Sequence, residues 1–131
     1  MPEMFKELHM EMTMSGVVRT QEQDGVLVIH FQSDKISEDT AIHKFLEELG
    51  EYIDNTPKSR ILINMENLDY LSSAGLGNLV GLLKKSRKVD GLFKLCCLKE
   101  TIQELFEVMR LNKIFEIFAA HEEALASFSK G

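Results

Sequence analysis

Residues 60–77 read Arg60-Ile-Leu-Ile-Asn-Met-Glu-Asn-Leu-Asp-Tyr-Leu-Ser-Ser-Ala-Gly-Leu-Gly77. The aliphatic run from Arg60 to Met65 has the length and composition of a buried strand. A polar turn follows, and then Ser72 and Ser73 stand at the mouth of an amphipathic helix. Leu76, Leu79, Val80 and Leu83 line one face of that helix, and Asp90-Gly91 ends it. A hydroxyl at a helix N-terminus lies where unpaired backbone N–H groups and the positive end of the helix dipole point outward. The position suits an N-cap, and it equally suits a phosphate.

Upstream, Val17–Glu22 and Val26–Phe31 flank Gln23-Asp24-Gly25, where the Asp-Gly pair predicts a hairpin. Ser37 followed by Glu38 and Asp39 gives a cap and an acidic first turn. Ile42, Phe45, Leu46, Leu49, Tyr52 and Ile53 then recur at helical spacing as far as Pro57, which predicts a helix over 38–55. Downstream, 92–98 reads as the next strand, and Thr101-Ile-Gln-Glu104 as a capping box opening a short helix that buries Ile102, Leu105, Phe106 and Met109. Ile114–Phe118 is expected as an edge strand and Glu122–Phe128 as a closing helix. A hairpin followed by helix–strand units predicts one α/β domain, a small mixed sheet whose later strands are parallel, packed with about four helices.

The chain has 131 residues, enough for a single core. It is 44% apolar and 27% charged, the balance of a globular protein, and its net charge of −6 argues against nucleic acid as a partner. No apolar run reaches membrane-spanning length, and no secretory signal pattern precedes the hairpin, so a cytoplasmic location without membrane insertion is expected. Met1, Met4, Phe5, Leu8 and Met12 form a helix-like stripe in an N-terminal extension, 1–13. Cys96 and Cys97, as neighbours in a strand, are expected on opposite faces, reduced and poorly placed to bridge.

The chemistry of catalysis finds little support. Gly75-x-Gly77 resembles a dinucleotide fingerprint only in part: Val80 stands where a small residue is needed, and Gly81 comes one place late. The four histidines, His9, His30, His43 and His121, are scattered without metal-ligand spacing. Lys84, Lys85, Arg87 and Lys88 complement a helix C-terminus, and Glu47, Glu48 and Glu51 line a solvated face. No acid, base and nucleophile come together, so neither an enzyme nor a cofactor nor a metal is expected.

The run Leu71-Ser-Ser-Ala-Gly-Leu-Gly77 resembles the signature of STAS domains, the family of bacterial anti-sigma-factor antagonists, also found at the C-termini of sulfate transporters. The resemblance extends over about 14–128. It takes in the hairpin, Ser37-Glu-Asp-Thr-Ala41, Asp90-Gly91, the Leu105–Phe115 stretch and Glu122-Glu-Ala-Leu125. It implies that Ser73, two residues before the glycine, is phosphorylated by an anti-sigma kinase of the ATPase fold, with Ser72 as the secondary candidate. It also implies a partner-binding surface of Ser37, Asp39, Ser72, Ser73, Gly75, Leu76 and Gly77, and a PP2C-type phosphatase as a further partner. Two positions depart from the family pattern: Ser72 replaces the usual aspartate and Ala74 the usual Ser or Thr, while Ser37 stands where an acidic residue is common. The alternative is a constitutive interaction module in which Ser73 carries no phosphate. Physically, a phosphate brings about −1.5 to −2 charges. A helix start tolerates that charge, but a partner docked over the same turn does not.

Overall fold

The computed structural model describes residues 18–32, 35–36 and 40–129. The N-terminal extension, Ser37 and Asp39 lie outside the described residues, as does the side chain of Ile42. Strands β1 (Val18–Gln23) and β2 (Val26–Phe31) form the expected antiparallel hairpin, with Val18 opposite Phe31 and Gln23 opposite Val26. Asp24 (φ 54°) and Gly25 (φ 81°) both take positive φ, the requirement of the tight hairpin turn that an Asp-Gly pair meets best.

Then come β3 (Lys35–Ile36), α1 (Thr40–Asp54), β4 (Arg60–Asn64), β5 (Tyr70–Leu71) and α2 (Ser73–Lys88). The chain continues through β6 (Leu92–Cys96), α3 (Glu100–Val108), a 3-10 turn (Leu111–Lys113), β7 (Glu116–Phe118) and α4 (His121–Ser129). The five-stranded sheet has the order β1-β2-β4-β6-β7, and every pair after the hairpin is parallel. The two-residue strands β3 and β5 pair in parallel as a separate small sheet, which the sequence reading did not anticipate.

Alternation along the strands divides the sheet into two faces. Leu27, Ile29, Ile61, Ile63, Phe93 and Leu95 point toward the larger core, shared with α1, α2 and α3. Val26, Val28, Leu62 and Cys96 point the other way and are covered by Ala124, Leu125 and Phe128 of α4. Between α1 and α2, Lys85 Nζ reaches Asp54 Oδ2 at 2.5 Å.

Three of the boundaries that differ from the sequence reading have a clear local reason. Strand β6 stops at Cys96 because Cys97 enters the left-handed region at φ 64°. Helix α3 begins at Glu100, one residue before Thr101, and its N-cap Lys99 makes no side-chain cap bond, so the expected capping box is not formed. Instead Gln103 N–H donates to Lys99 O at 2.9 Å and closes the first turn. Strand β7 is shortened to Glu116–Phe118 because Arg110, at φ 61°, turns the chain into the 3-10 segment that uses up the residues before Phe115.

Gly91 serves close approach rather than an unusual φ. A Cβ there would stand 2.8 Å from Ser59 O and 2.9 Å from Ser86 Oγ, and Gly91 N–H donates to Ser86 O at 2.8 Å. The residue in the left-handed region at this corner is Asp90, at φ 57°.

Candidate functional site

The loop between β4 and α2 is anchored at each step. Met65 N–H donates to Cys96 O at 3.0 Å, and Glu66 N–H to Asn64 Oδ1 at 3.0 Å. Leu68 N–H closes a turn on Met65 O at 3.0 Å, while Asn67 Nδ2 donates to Phe31 O at 3.1 Å. Lys99 pairs with Asp69, and β5 then pairs with β3. Met65, Leu68 and Leu71 are buried, so the apolar residues of the loop hold it down while its polar residues face out.

The loop delivers Ser72 as the N-cap of α2, at φ −74° and ψ 165°. Its Oγ accepts from Gly75 N–H at 3.0 Å, and its carbonyl accepts from Leu76 N–H at 2.8 Å, the first helical bond. Ser73 is the first residue of the helix and is exposed. Capping therefore falls to Ser72, and Ser73 is left exposed beside N–H groups that a helix start leaves without intrahelical acceptors. The first turn contains no acidic residue, and Lys85, Arg87 and Lys88 occupy the last turn. The basic residues complement the negative end of the dipole, while the absence of an acid leaves the positive end at Ser73 uncompensated by charge. Ser72→Ala is expected to lower stability by about 0.5–2 kcal/mol, read from the midpoint of denaturant unfolding, whereas Ser73→Ala should change it by about 0.5 kcal/mol or less.

The other members of the expected partner surface separate. Gly75 and Leu76 are buried, and Leu76 belongs to the larger core, so neither forms the surface patch the sequence reading assigned to Leu76. Leu76 turns inward because it falls on the same helical stripe as Leu79 and Leu83. Gly77 is exposed, and nothing lies within 4 Å of the Cβ it lacks. It borders a groove of about 360 Å³ between α1 and α2, lined among others by Leu46, Gly50, Asn78, Gly81 and Lys85. Tyr70, two residues before the cap, is 51% exposed, a large aromatic beside the serines that the sequence reading passed over.

Strand register creates a second cluster, also missed. His30, Asn64, Cys96 and Phe118 stand side by side at the ends of β2, β4, β6 and β7. His121, at the start of α4, stacks on His30 with ring centroids 5.7 Å apart. Because Asn64 Oδ1 accepts from Glu66 N–H, its Nδ2 is the group that faces His121 Nδ1 at 2.9 Å. His121 Nδ1 is thus the acceptor, and Nε2–H donates to Gln23 Oε1 at 3.2 Å. The clue in the sequence is that His30 shares the alternation of Val26 and Val28.

Burial, with Arg19 and His121 nearby, pushes the His30 pKa below its ordinary value, against a smaller opposing pull from Glu66. Between the lowered folded value and the ordinary value near 6.5, the unfolded chain binds more protons than the folded one, so stability rises with pH. Acidifying from pH 7 toward 5 is therefore expected to lower Tm, and His30→Leu should flatten that part of the Tm–pH curve. Among the described residues, no group of three His, Cys, Asp or Glu side chains could hold a metal ion. No helix among them is long and apolar enough to cross a membrane.

Residues 17–124 match the STAS domain family. The chain is 31% identical over 105 residues to BtrV of Bordetella bronchiseptica, which is provisionally named an anti-sigma factor antagonist. That match covers 80% of this chain and 88% of BtrV. In three dimensions the chain is similar to a Thermotoga maritima protein, also provisionally named an anti-sigma factor antagonist, at a TM-score of 0.75 and 20% identity. This covers 91% of this chain and 97% of the other. It is also similar to the phosphorylated form of the Bacillus cell fate determinant SpoIIAA, at a TM-score of 0.66 and 19% identity over 85% of this chain and 98% of that one. A mixed sheet opened by a hairpin, a capped helix start after the loop from β4 and a family match from 17 to 124 agree: the chain belongs to the STAS domain family.

Proposed function

We propose that this protein is an anti-sigma-factor antagonist that binds an anti-sigma factor through the turn around Ser73 and releases it when Ser73 is phosphorylated. The partner is an ATPase-fold serine kinase, a PP2C-type phosphatase reverses the modification, and the exchange takes place in the cytoplasm. The observation that carries the reading is the division of labour between the two serines: Ser72 caps α2, and Ser73 stands exposed at its first position. A hydroxyl with no capping duty, at the positive end of a helix whose first turn holds no acid, is a suitable acceptor for a dianion. The names of BtrV and of SpoIIAA, itself called an anti-sigma factor antagonist, support the same role.

In this reading Ser72, Ser73 and Gly77 form the contacted surface, Tyr70 supplies an aromatic anchor, and Gly75 and Leu76 fix the helix beneath them. Ser37 and Asp39, which precede α1 in the sequence, remain proposed members of this surface. Phosphorylation leaves the fold intact, since the helix start accommodates the charge, and acts on the partner that must desolvate it. The test is phosphosite mapping after incubation with the cognate ATPase-fold kinase and ATP. Modification at Ser73, absent in Ser73→Ala, is the expected result. Modification confined to Ser72 or another residue, or none, leaves the constitutive interaction module.

A further inference from the structure

Cys96 and Cys97 do not take the opposed directions expected of neighbours in a strand. Their sulfurs stand 3.4 Å apart, with the Cys97 thiol donating to Cys96 Sγ. The cause is the left-handed backbone of Cys97, which ends the alternation of β6 and brings the second side chain back toward the first. Both are free thiols, Cys96 buried and Cys97 half-buried. The peptide unit that joins them is pinned on both sides, since Cys96 O accepts from Met65 N–H and Cys97 N–H donates to Phe118 O, each at 3.0 Å. Two thiols are thus held in contact by the surrounding sheet, so little freedom is left to lose on joining them.

We propose that Cys96 and Cys97 form a reversible oxidation site, a dithiol that a low-molecular-weight disulfide converts to a vicinal disulfide. Exposure sets the order of events. Cys97, as its thiolate, attacks one sulfur of the small disulfide and releases one small thiolate, leaving a mixed disulfide on Cys97. Cys96 Sγ then attacks Cys97 Sγ from within the protein, and its proton passes to the second small thiolate as that group departs. The protein loses two hydrogens and two electrons, the small disulfide gains them, and two small thiols are released. Burial, reinforced by its contact with Cys97, pushes the Cys96 thiol up, so Cys96 is the resolving partner and not the first to react.

The product is strained by construction. Neighbouring Cα atoms are about 3.8 Å apart across a trans peptide, short of the roughly 4.4 Å at which ordinary disulfides begin. Strained disulfides are readily reduced, which suits a reversible mark rather than a structural staple. The distortion falls on the peptide whose carbonyl receives Met65 N–H, the residue at which the chain leaves β4 for the serine loop. Lys99, two residues beyond Cys97, is paired with Asp69 in that same loop.

The experiment is intact-mass analysis of the reduced protein after incubation with glutathione disulfide. The expected product is a monomer lighter by two hydrogen atoms, restored to its starting mass by dithiothreitol. The chain has two cysteines, so that mass in a monomer identifies the Cys96–Cys97 bond without ambiguity. Cys96→Ser should stop at the mixed disulfide, one glutathione heavier, and Cys97→Ser should stay unmodified because its remaining thiol is buried. Wild-type protein that ends as the mixed disulfide, as a covalent dimer or unreacted overturns the proposal.

Discussion

Ser73→Asp is expected to fold at least as well as the wild type and yet to bind its anti-sigma partner about 30- to 150-fold more weakly, equivalent to roughly 2–3 kcal/mol. The two effects have opposite signs because they arise in different places. Within the protein, an added carboxylate joins the N-terminus of a helix whose first turn holds no acid, which contributes about 0.3–1 kcal/mol to stability. In the complex, the same carboxylate is stripped of water by the covering partner, and an ionised group without a compensating partner is costly to bury. Ser73→Ala separates the charge from the loss of the hydroxyl, since Ser72 retains the cap and binding should be close to wild type. Calorimetry of each variant with the partner, beside thermal unfolding of each alone, reads both signs. Equal affinity of wild type and Ser73→Asp would remove the switch and leave an interaction module that does not sense this position.

Phe106→Ala should be the most damaging single truncation in the small helices, costing about 3–5 kcal/mol. Helix α3 has nine residues and buries only Ile102 and Phe106. It is too short to persist without tertiary contacts, so its place depends on these two side chains. The Phe106 ring is wholly buried and tilts against Phe115 with centroids 5.6 Å apart, and Phe115 in turn meets Phe93 of β6 at 6.3 Å. Truncation therefore opens a cavity and breaks an aromatic chain joining α3, the 3-10 corner and the sheet. Against a total stability of about 5–15 kcal/mol, a loss of this size leaves a variant with little margin. Urea unfolding checks it, and a shift under about 1 kcal/mol would show that α3 is held by something other than Phe106.

The parts of this fold legible in the sequence are those with a strong local cause. The hairpin was written in Asp24-Gly25, α1 and α2 in their apolar stripes, and β4 in an aliphatic run too short for a helix. The serine turn was legible as a helix start, although which serine caps it depended on backbone angles. What could not be read there comes from pairing between distant segments. Residues 35–36 and 70–71 become strands only because each finds the other. His30 meets His121 only because register sets β2 beside β4, over which α4 packs. Cys96 and Cys97 failed the expectation for a related reason, since alternation predicts opposite faces and a single left-handed residue cancels it. Leu76 was read both on the helical stripe and, from the motif, in the partner surface, and its burial follows the stripe.

The two faces of the sheet are unequally covered, and this fixes the order in which the molecule loosens. Among the described residues, twenty-three buried side chains form the core beneath α1, α2 and α3, and seven form the one beneath α4. Helix α4 has nine residues and contributes three of those seven, aided by Lys94, whose Nζ meets Ser127 Oγ at 2.9 Å and lies over the Phe128 ring at 4.6 Å. A segment secured by so little apolar surface detaches at a fraction of the free energy needed to unfold the whole domain. In hydrogen–deuterium exchange its amides should reach bulk-like exchange while those of β2, β4 and β6 still report global opening. Transient departure of α4 uncovers the row from His30 to Phe118 without disturbing the helix that presents Ser73.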